Sequence, residues 1–148
     1  MSSIVCATNA GEDSRAVHMA AFRRAEADNT KVIFLHVLGG QGFDGQPPRM
    51  RKAITEELGW LLHALIRVAK ERSGAASVTS EIVLRTGAPR EEILAYVGEA
   101  PPVALVIGVP RVGDASIFPE QTFDGFVAEL QSLGVAVELV ATGAGGTN

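Results

Sequence analysis

Four short stretches carry the residue types from which a ligand site could be assembled: Asn9-Ala10-Gly11-Glu12-Asp13-Ser14, Leu35-His36-Val37, Gly87-Ala88-Pro89 and Gly108-Val109-Pro110-Arg111-Val112-Gly113-Asp114. Their chemistry is anion and polar-group binding rather than acid–base turnover. Glycines let backbone N–H groups approach a phosphate, and the guanidinium of Arg111 could replace donors that glycine would otherwise supply. Two features oppose this. Asp114, Glu120 and Asp124 bring three carboxylates to the same loop and helix start, and Pro110 and Pro119 each remove an N–H donor. No side chain in these stretches stands out as a general base.

The remaining reactive types read as structural. Cys6 is the only cysteine. It lies in the apolar run Ile4-Val5-Cys6-Ala7, where a free thiol usually acts as a small buried hydrophobe. The three histidines, His18, His36 and His63, make no His-x-x-x-His pair and no cluster with Cys6, so a metal site is unsupported. His36 is expected neutral with a hydrogen-bond partner. Asn9 suits an Asx turn between a strand and a helix as well as it suits a ligand contact. Trp60 and Phe22 are expected to pack in the core or at an interface.

These stretches need a scaffold, and the hydrophobic pattern supplies one. Apolar runs at 3–8, 31–38, 103–107 and 135–141 predict strands, and an alternating run at 78–84 predicts another. Helices are expected over 13–27, 49–72, 89–98 and from Phe123 to a stop at Gly134, with Asn29 and Gly74 closing the first two. In the second helix Ile54, Leu58, Leu61, Leu62, Leu65, Val68 and Ala69 define the expected apolar stripe. Residues 39–48 hold four glycines and two prolines and read as an exposed loop. Strand and helix alternate, which implies a doubly wound α/β fold with a parallel-type sheet and helices on both faces. In such a sheet ligands bind beyond the carboxyl ends of the strands, where all four stretches fall.

Composition narrows the function classes. The chain has 148 residues, enough for one domain, expected over 1–142, with 143–148 a disordered glycine-rich tail. Thirteen Lys and Arg against 17 Asp and Glu give a formal charge of -4, which argues against nucleic-acid binding. No apolar stretch approaches the roughly 20 residues of a membrane span. No signal peptide is visible, and a single cysteine fits a reducing compartment, so the expected location is the cytoplasm.

Val5-Cys-Ala-Thr-Asn-Ala-Gly-Glu-Asp-Ser14, Leu35-His36-Val37, Gly87-Ala-Pro-Arg-Glu-Glu-Ile93 and Val106-Ile107-Gly108 together resemble the universal stress protein family in order and spacing, over residues 3 to about 142. The resemblance implies a five-stranded sheet of order 3-2-1-4-5 and a small, often homodimeric protein linked to stress survival. Some members bind ATP or AMP and others bind no nucleotide. By resemblance, Thr8, Asn9, Val37, Gly108, Arg111, Gly113, Gln121 and Thr122 are the candidate nucleotide contacts. Nucleotide-binding members carry an aspartate after the first strand and Gly-x-x-Gly, nine residues, then Gly-Ser or Gly-Thr after the fourth. Here Asn9 stands at the aspartate, Gly108 keeps the first glycine, and Arg111 and Gln121-Thr122 fill the rest.

The expected function is therefore a non-catalytic, homodimeric regulatory module with weak or absent nucleotide binding, open to an unknown protein partner. The alternative is an ATP or AMP binder with a rewired phosphate loop and at most slow hydrolysis. Val135, Val137, Leu139 and Val140, on a last strand that the resemblance puts at the sheet edge, are the candidate dimer contacts. A third, enzymatic reading comes from a resemblance of Asn9 to Ser14 to the Ser-Gly-Gly-x-Asp-Ser loop of ATP pyrophosphatases, which holds only at Gly11, Asp13 and Ser14. It leaves no room in 148 residues for the further substrate-binding region that family needs.

Overall fold

Five apolar runs become strands in the computed structural model: β1 (Ser3–Ala7), β2 (Lys31–Leu38), β3 (Ser80–Thr86), β4 (Ala104–Val109) and β5 (Ala136–Ala141). The described residues are 2–9, 11, 14–39, 41–109 and 120–141, with the backbone alone for 41 and 120–122. The strands form one sheet of order β3-β2-β1-β4-β5, and every neighbouring pair is parallel. The expected order and fold class are those observed. In register, Val5 lies beside Ile33 on one side and Leu105 on the other, so the three central strands bury both faces. Continuous apolar sequence is what such doubly covered strands require.

Helices α1 (Ser14–Ala27), α2 (Gln41–Asp44), α3 (Pro48–Ser73), α4 (Pro89–Glu99) and α5 (Glu120–Ser132) connect them. Alternating strand positions feed two clusters. Ile4, Cys6, Val32, Phe34, Ala104 and Val106 pack against α1 and α3, and Val5, Ile33, Leu35, Leu105 and Ile107 pack against α4 and α5. Cys6 and Phe22 are fully buried in the first, and burial pushes the Cys6 thiol well above its ordinary pKa, as expected of an inert core thiol.

Three sequence expectations change. Residues 39–48 are not all loop: Gln41–Asp44 forms a helical turn, and Pro48 starts α3 with its fixed φ at a position where a missing N–H costs nothing. Strand β3 begins two residues after the expected Val78, because Ala75–Val78 closes a turn (Val78 N–H to Ala75 O, 3.0 Å) before the chain joins β2. In α3 the buried residues are Leu62, Ile66 and Ala69, whereas Leu61 and Val68 are exposed and Trp60 is 76% exposed. Trp60 is not a core residue.

The end of α3 follows its sequence signal. Gly74 adopts φ 70, and its N–H bonds to Glu71 O while the Ala75 N–H reaches Lys70 O. A side chain here meets no neighbour, so the cost of replacement is backbone strain alone. Gly74→Ala is expected to destabilise the fold by about 1 kcal/mol. Urea denaturation reads this, and an unchanged midpoint would contradict the left-handed cap.

Candidate functional site

In this strand order β1 has β2 on one side and β4 on the other. The chain leaves β1 into α1, packed on the first cluster, and leaves β4 into α5, packed on the second. Two exits to opposite faces make the carboxyl ends of β1 and β4 the topological switch point of the sheet, where a doubly wound fold usually has its ligand crevice. Thr8 and Asn9 follow β1, Val37 lies near the end of β2, and Gly108 lies near the end of β4. These four candidates therefore share one end of the sheet. Gln121 and Thr122 stand in the first turn of α5. Arg111 and Gly113 lie outside the described residues, as do Asp114 and the glycine-rich tail.

Thr8 is the most constrained of them. Its N–H donates to Leu35 O (3.0 Å), its Oγ1 shares a hydrogen bond with His18 Nε2 (2.7 Å), and its carbonyl accepts from His36 Nδ1 (2.6 Å). Strand β1, helix α1 and strand β2 are thereby tied at the crevice through one residue. His36 is indeed hydrogen-bonded, and burial lowers its pKa while the bond to Thr8 O opposes that shift. The neutral ring expected from sequence follows.

His18 is the residue that sequence reasoning missed. It is fully buried, sits edge-on to Phe34 with ring centroids 5.1 Å apart, and burial lowers its pKa to about 4. Its Nδ1 has no partner among the described residues, and neither has the buried Ser14 Oγ one helical turn earlier. A signal was present. Ser14, His18, Ala21, Phe22 and Ala25 recur at spacings of three and four and all are buried, which places His18 on the inward stripe of α1.

Asn9 is exposed, and its Oδ1 accepts from the Gly11 N–H (2.8 Å). That is the Asx turn. The local bond occupies a carbonyl oxygen that would otherwise face a ligand, and the amide carries no charge where an aspartate would.

The loops after β2 and β3 meet beside the crevice. The Gly87 N–H bonds to Leu38 O (2.8 Å), and a Cβ on Gly39 would lie 2.0 Å from Gly87 O. Only glycine fits at 39. Gly87 itself has φ 140, so the Gly-Ala-Pro turn that launches α4 depends on a conformation other residues avoid. Behind it Arg85 pairs with Glu99 (2.9 Å) and Glu92 (3.8 Å) and lies over the Tyr96 ring. Arg85 holds the Glu99 carboxyl below the usual range. Among the described residues no group of three His, Cys, Asp or Glu could hold a metal ion, and no helix is long and apolar enough to cross a membrane.

The four candidate dimer contacts divide. Val135 is buried in the second cluster, with Val137 packed against it, and Val140 packs against the first. Leu139 is 48% exposed. Among the described residues strand β5 pairs with β4 alone.

A model of the universal stress protein family matches residues 1–118. No curated protein matches the chain in sequence. Among solved structures, a universal stress protein in complex with cAMP is 21% identical, with 96% of this chain and 98% of that one covered at a TM-score of 0.65. A universal stress protein from Archaeoglobus fulgidus is 20% identical, covering 97% and 94% at a TM-score of 0.61. The structure of the universal stress protein from Archaeoglobus fulgidus in complex with dAMP is 18% identical, covering 97% and 98% at a TM-score of 0.57. At these identities the likeness is one of fold.

Proposed function

Because the chain belongs to the universal stress protein family, we propose that it is a non-catalytic regulatory module of the stress response that works as a homodimer and binds adenine nucleotide weakly or not at all. The observation that carries this reading is the free outer edge of β5, with Leu139 48% exposed along it. An edge strand with an apolar face is a template for a second strand, and antiparallel pairing of two copies would satisfy its backbone groups. Weak nucleotide binding is supported by Asn9, whose oxygen is already bonded to Gly11, and by Arg111 and Gln121 at positions where binding members place glycine. A partner protein would then meet the dimer rather than a substrate meeting a reactive centre.

A second reading rests on a specific observation: Thr8, Asn9, Val37 and Gly108 still gather at the carboxyl end of the sheet. Relatives of the same fold hold cAMP and dAMP, and Arg111 offers a cation to a phosphate. On this reading the chain binds ATP or AMP through a rewired loop.

Titration calorimetry with ATP, AMP and cAMP, with and without magnesium, separates the two. The first reading expects no heat below millimolar nucleotide. Micromolar affinity that drops about tenfold in Arg111→Ala, the loss of one charged hydrogen-bond donor, would replace it with the second. Light scattering tests the dimer: Leu139→Glu should shift β5-mediated pairs towards monomer, and an unchanged mass would reject that interface.

A further inference from the structure

Four of the seven large hydrophobic residues left exposed among the described ones, Met50, Trp60, Leu61 and Val68, belong to α3. Isolated exposed apolar side chains are ordinary, but a tryptophan left in solvent on a helix that exposes further large apolar residues marks a candidate contact surface. The solvent side of α3 around Trp60 has a regular spacing. Ala53, Glu57, Trp60, Ala64, Arg67 and Glu71 recur at alternating spacings of four and three, and all are exposed. This is the spacing that a two-stranded helical pair uses, with Ala53, Trp60 and Ala64 as its apolar members, and it lies opposite the buried Leu62, Ile66 and Ala69. Helix α3 thus turns one face to the core and leaves this one in solvent.

We propose that the outer face of α3 is a second self-association surface, on which α3 of another copy packs antiparallel. The residues select both the partner and the register. With the two-fold axis at Leu62, Trp60 of each copy falls opposite Ala64 of the other, a large side chain over a small one. In the same register Glu57 of each copy falls opposite Arg67 of the other, so the arrangement makes two opposite-charge pairs. Centring the pair at Ala64 instead sets Glu57 against Glu71, which like charges disfavour. One sequence thus carries both halves of its own complement. Leu61 and Val68 flank the seam and widen the apolar contact.

This surface is separate from the β5 edge. Helix α3 packs against α1 and β3, whereas β5 lies at the opposite edge of the sheet. The inference goes beyond the proposed β5 dimer, and the two can fail independently. If both pairings form, the chain assembles beyond a dimer.

Trp60 is the only tryptophan, so its emission reports this surface alone. The test uses the full chain carrying Leu139→Glu, which removes β5 pairing, with light scattering and tryptophan emission followed across a concentration series. The expected result is a dimer whose formation shifts the emission to the blue. Glu57→Arg and Arg67→Glu should each raise its dissociation constant about tenfold, since each reversal acts at two symmetry-related contacts. The double reversal should restore the original affinity, and Trp60→Glu should weaken pairing about a hundredfold or more. Far-UV circular dichroism shows that these exposed substitutions leave the fold intact. Emission that stays at its solvent-exposed position at every concentration overturns the proposal. So does a mass indifferent to the charge reversals, or protection of Trp60 only when a different protein is added. A wild-type mass unaffected by Leu139→Glu would reject the β5 pairing and leave the α3 surface standing.

Discussion

Phe34→Ala is expected to destabilise the protein by about 3–5 kcal/mol, the usual cost of emptying a large buried aromatic site. Phe34 is fully buried in β2, beside β1 in the sheet. Its ring meets His18 edge-on at 5.1 Å and Phe22 at 5.3 Å, so truncation removes two ring contacts between α1 and the sheet. The neighbours cannot easily close the gap, because β2 is clamped between β1 and β3 along its length. Equilibrium urea denaturation gives the value, and a loss below about 1 kcal/mol would mean that this cluster repacks.

Acidification is expected to remove about 3 kcal/mol of stability through His18. The folded state holds this imidazole at a pKa of about 4 against an ordinary 6.5. The unfolded chain therefore takes up a proton that the folded chain refuses, and the unfolded state, binding more protons, gains as pH falls. Stability from this group is full above about pH 6.5, declines between 6.5 and 4, and is flat below 4. A separation of roughly two and a half units corresponds to about 3 kcal/mol. The cause is local. An imidazolium carries N–H on both ring nitrogens, and Nδ1 meets no acceptor among the described residues, in a pocket walled by Phe34. His36, also lowered by burial, contributes in the same direction.

Glu99 adds a loss at lower pH, as Arg85 holds its carboxyl below the ordinary value. Comparing wild type with His18→Gln isolates the histidine, since the other groups titrate in both. The wild type should lose about 3 kcal/mol more than the variant between pH 7 and 4, and parallel curves would sink the assignment. The two predictions are linked. In Phe34→Ala, water reaching His18 should raise its pKa towards 6.5 and flatten the acid slope.

Helix-terminating and strand-forming chemistry is local, and it was readable. Lys31–Leu38 is a nearly continuous apolar run, broken only by His36 after its leading lysine, and forms β2 over the expected residues. Gly74, Pro89 and Gly134 mark helix ends because their φ preferences act on one turn of chain. Strand order and the ends of strands also place Thr8, Asn9, Val37 and Gly108 at one end of the sheet whatever their side chains do. Beyond the local signals, readings weakened. The apolar stripe on α3 was wide, and periodicity alone could not say which of its sides would meet the sheet.

What the sequence by itself determined is the scaffold: the alternation of strands and helices, the family, and the end of the sheet to which the candidate residues fall. Each rests on patterns repeated over many residues, so no single contact can overturn them. What only the tertiary structure decided is how particular side chains are committed. His18 turns inward to bond Thr8 because α1 rolls one face onto β1 and β2. Gly39 is forced to be glycine because Gly87, distant in sequence, crosses it. Trp60 is left in solvent because Leu62, Ile66 and Ala69 already fill the space under α3. These are long-range packing outcomes, set by which surfaces meet rather than by any residue's own preference.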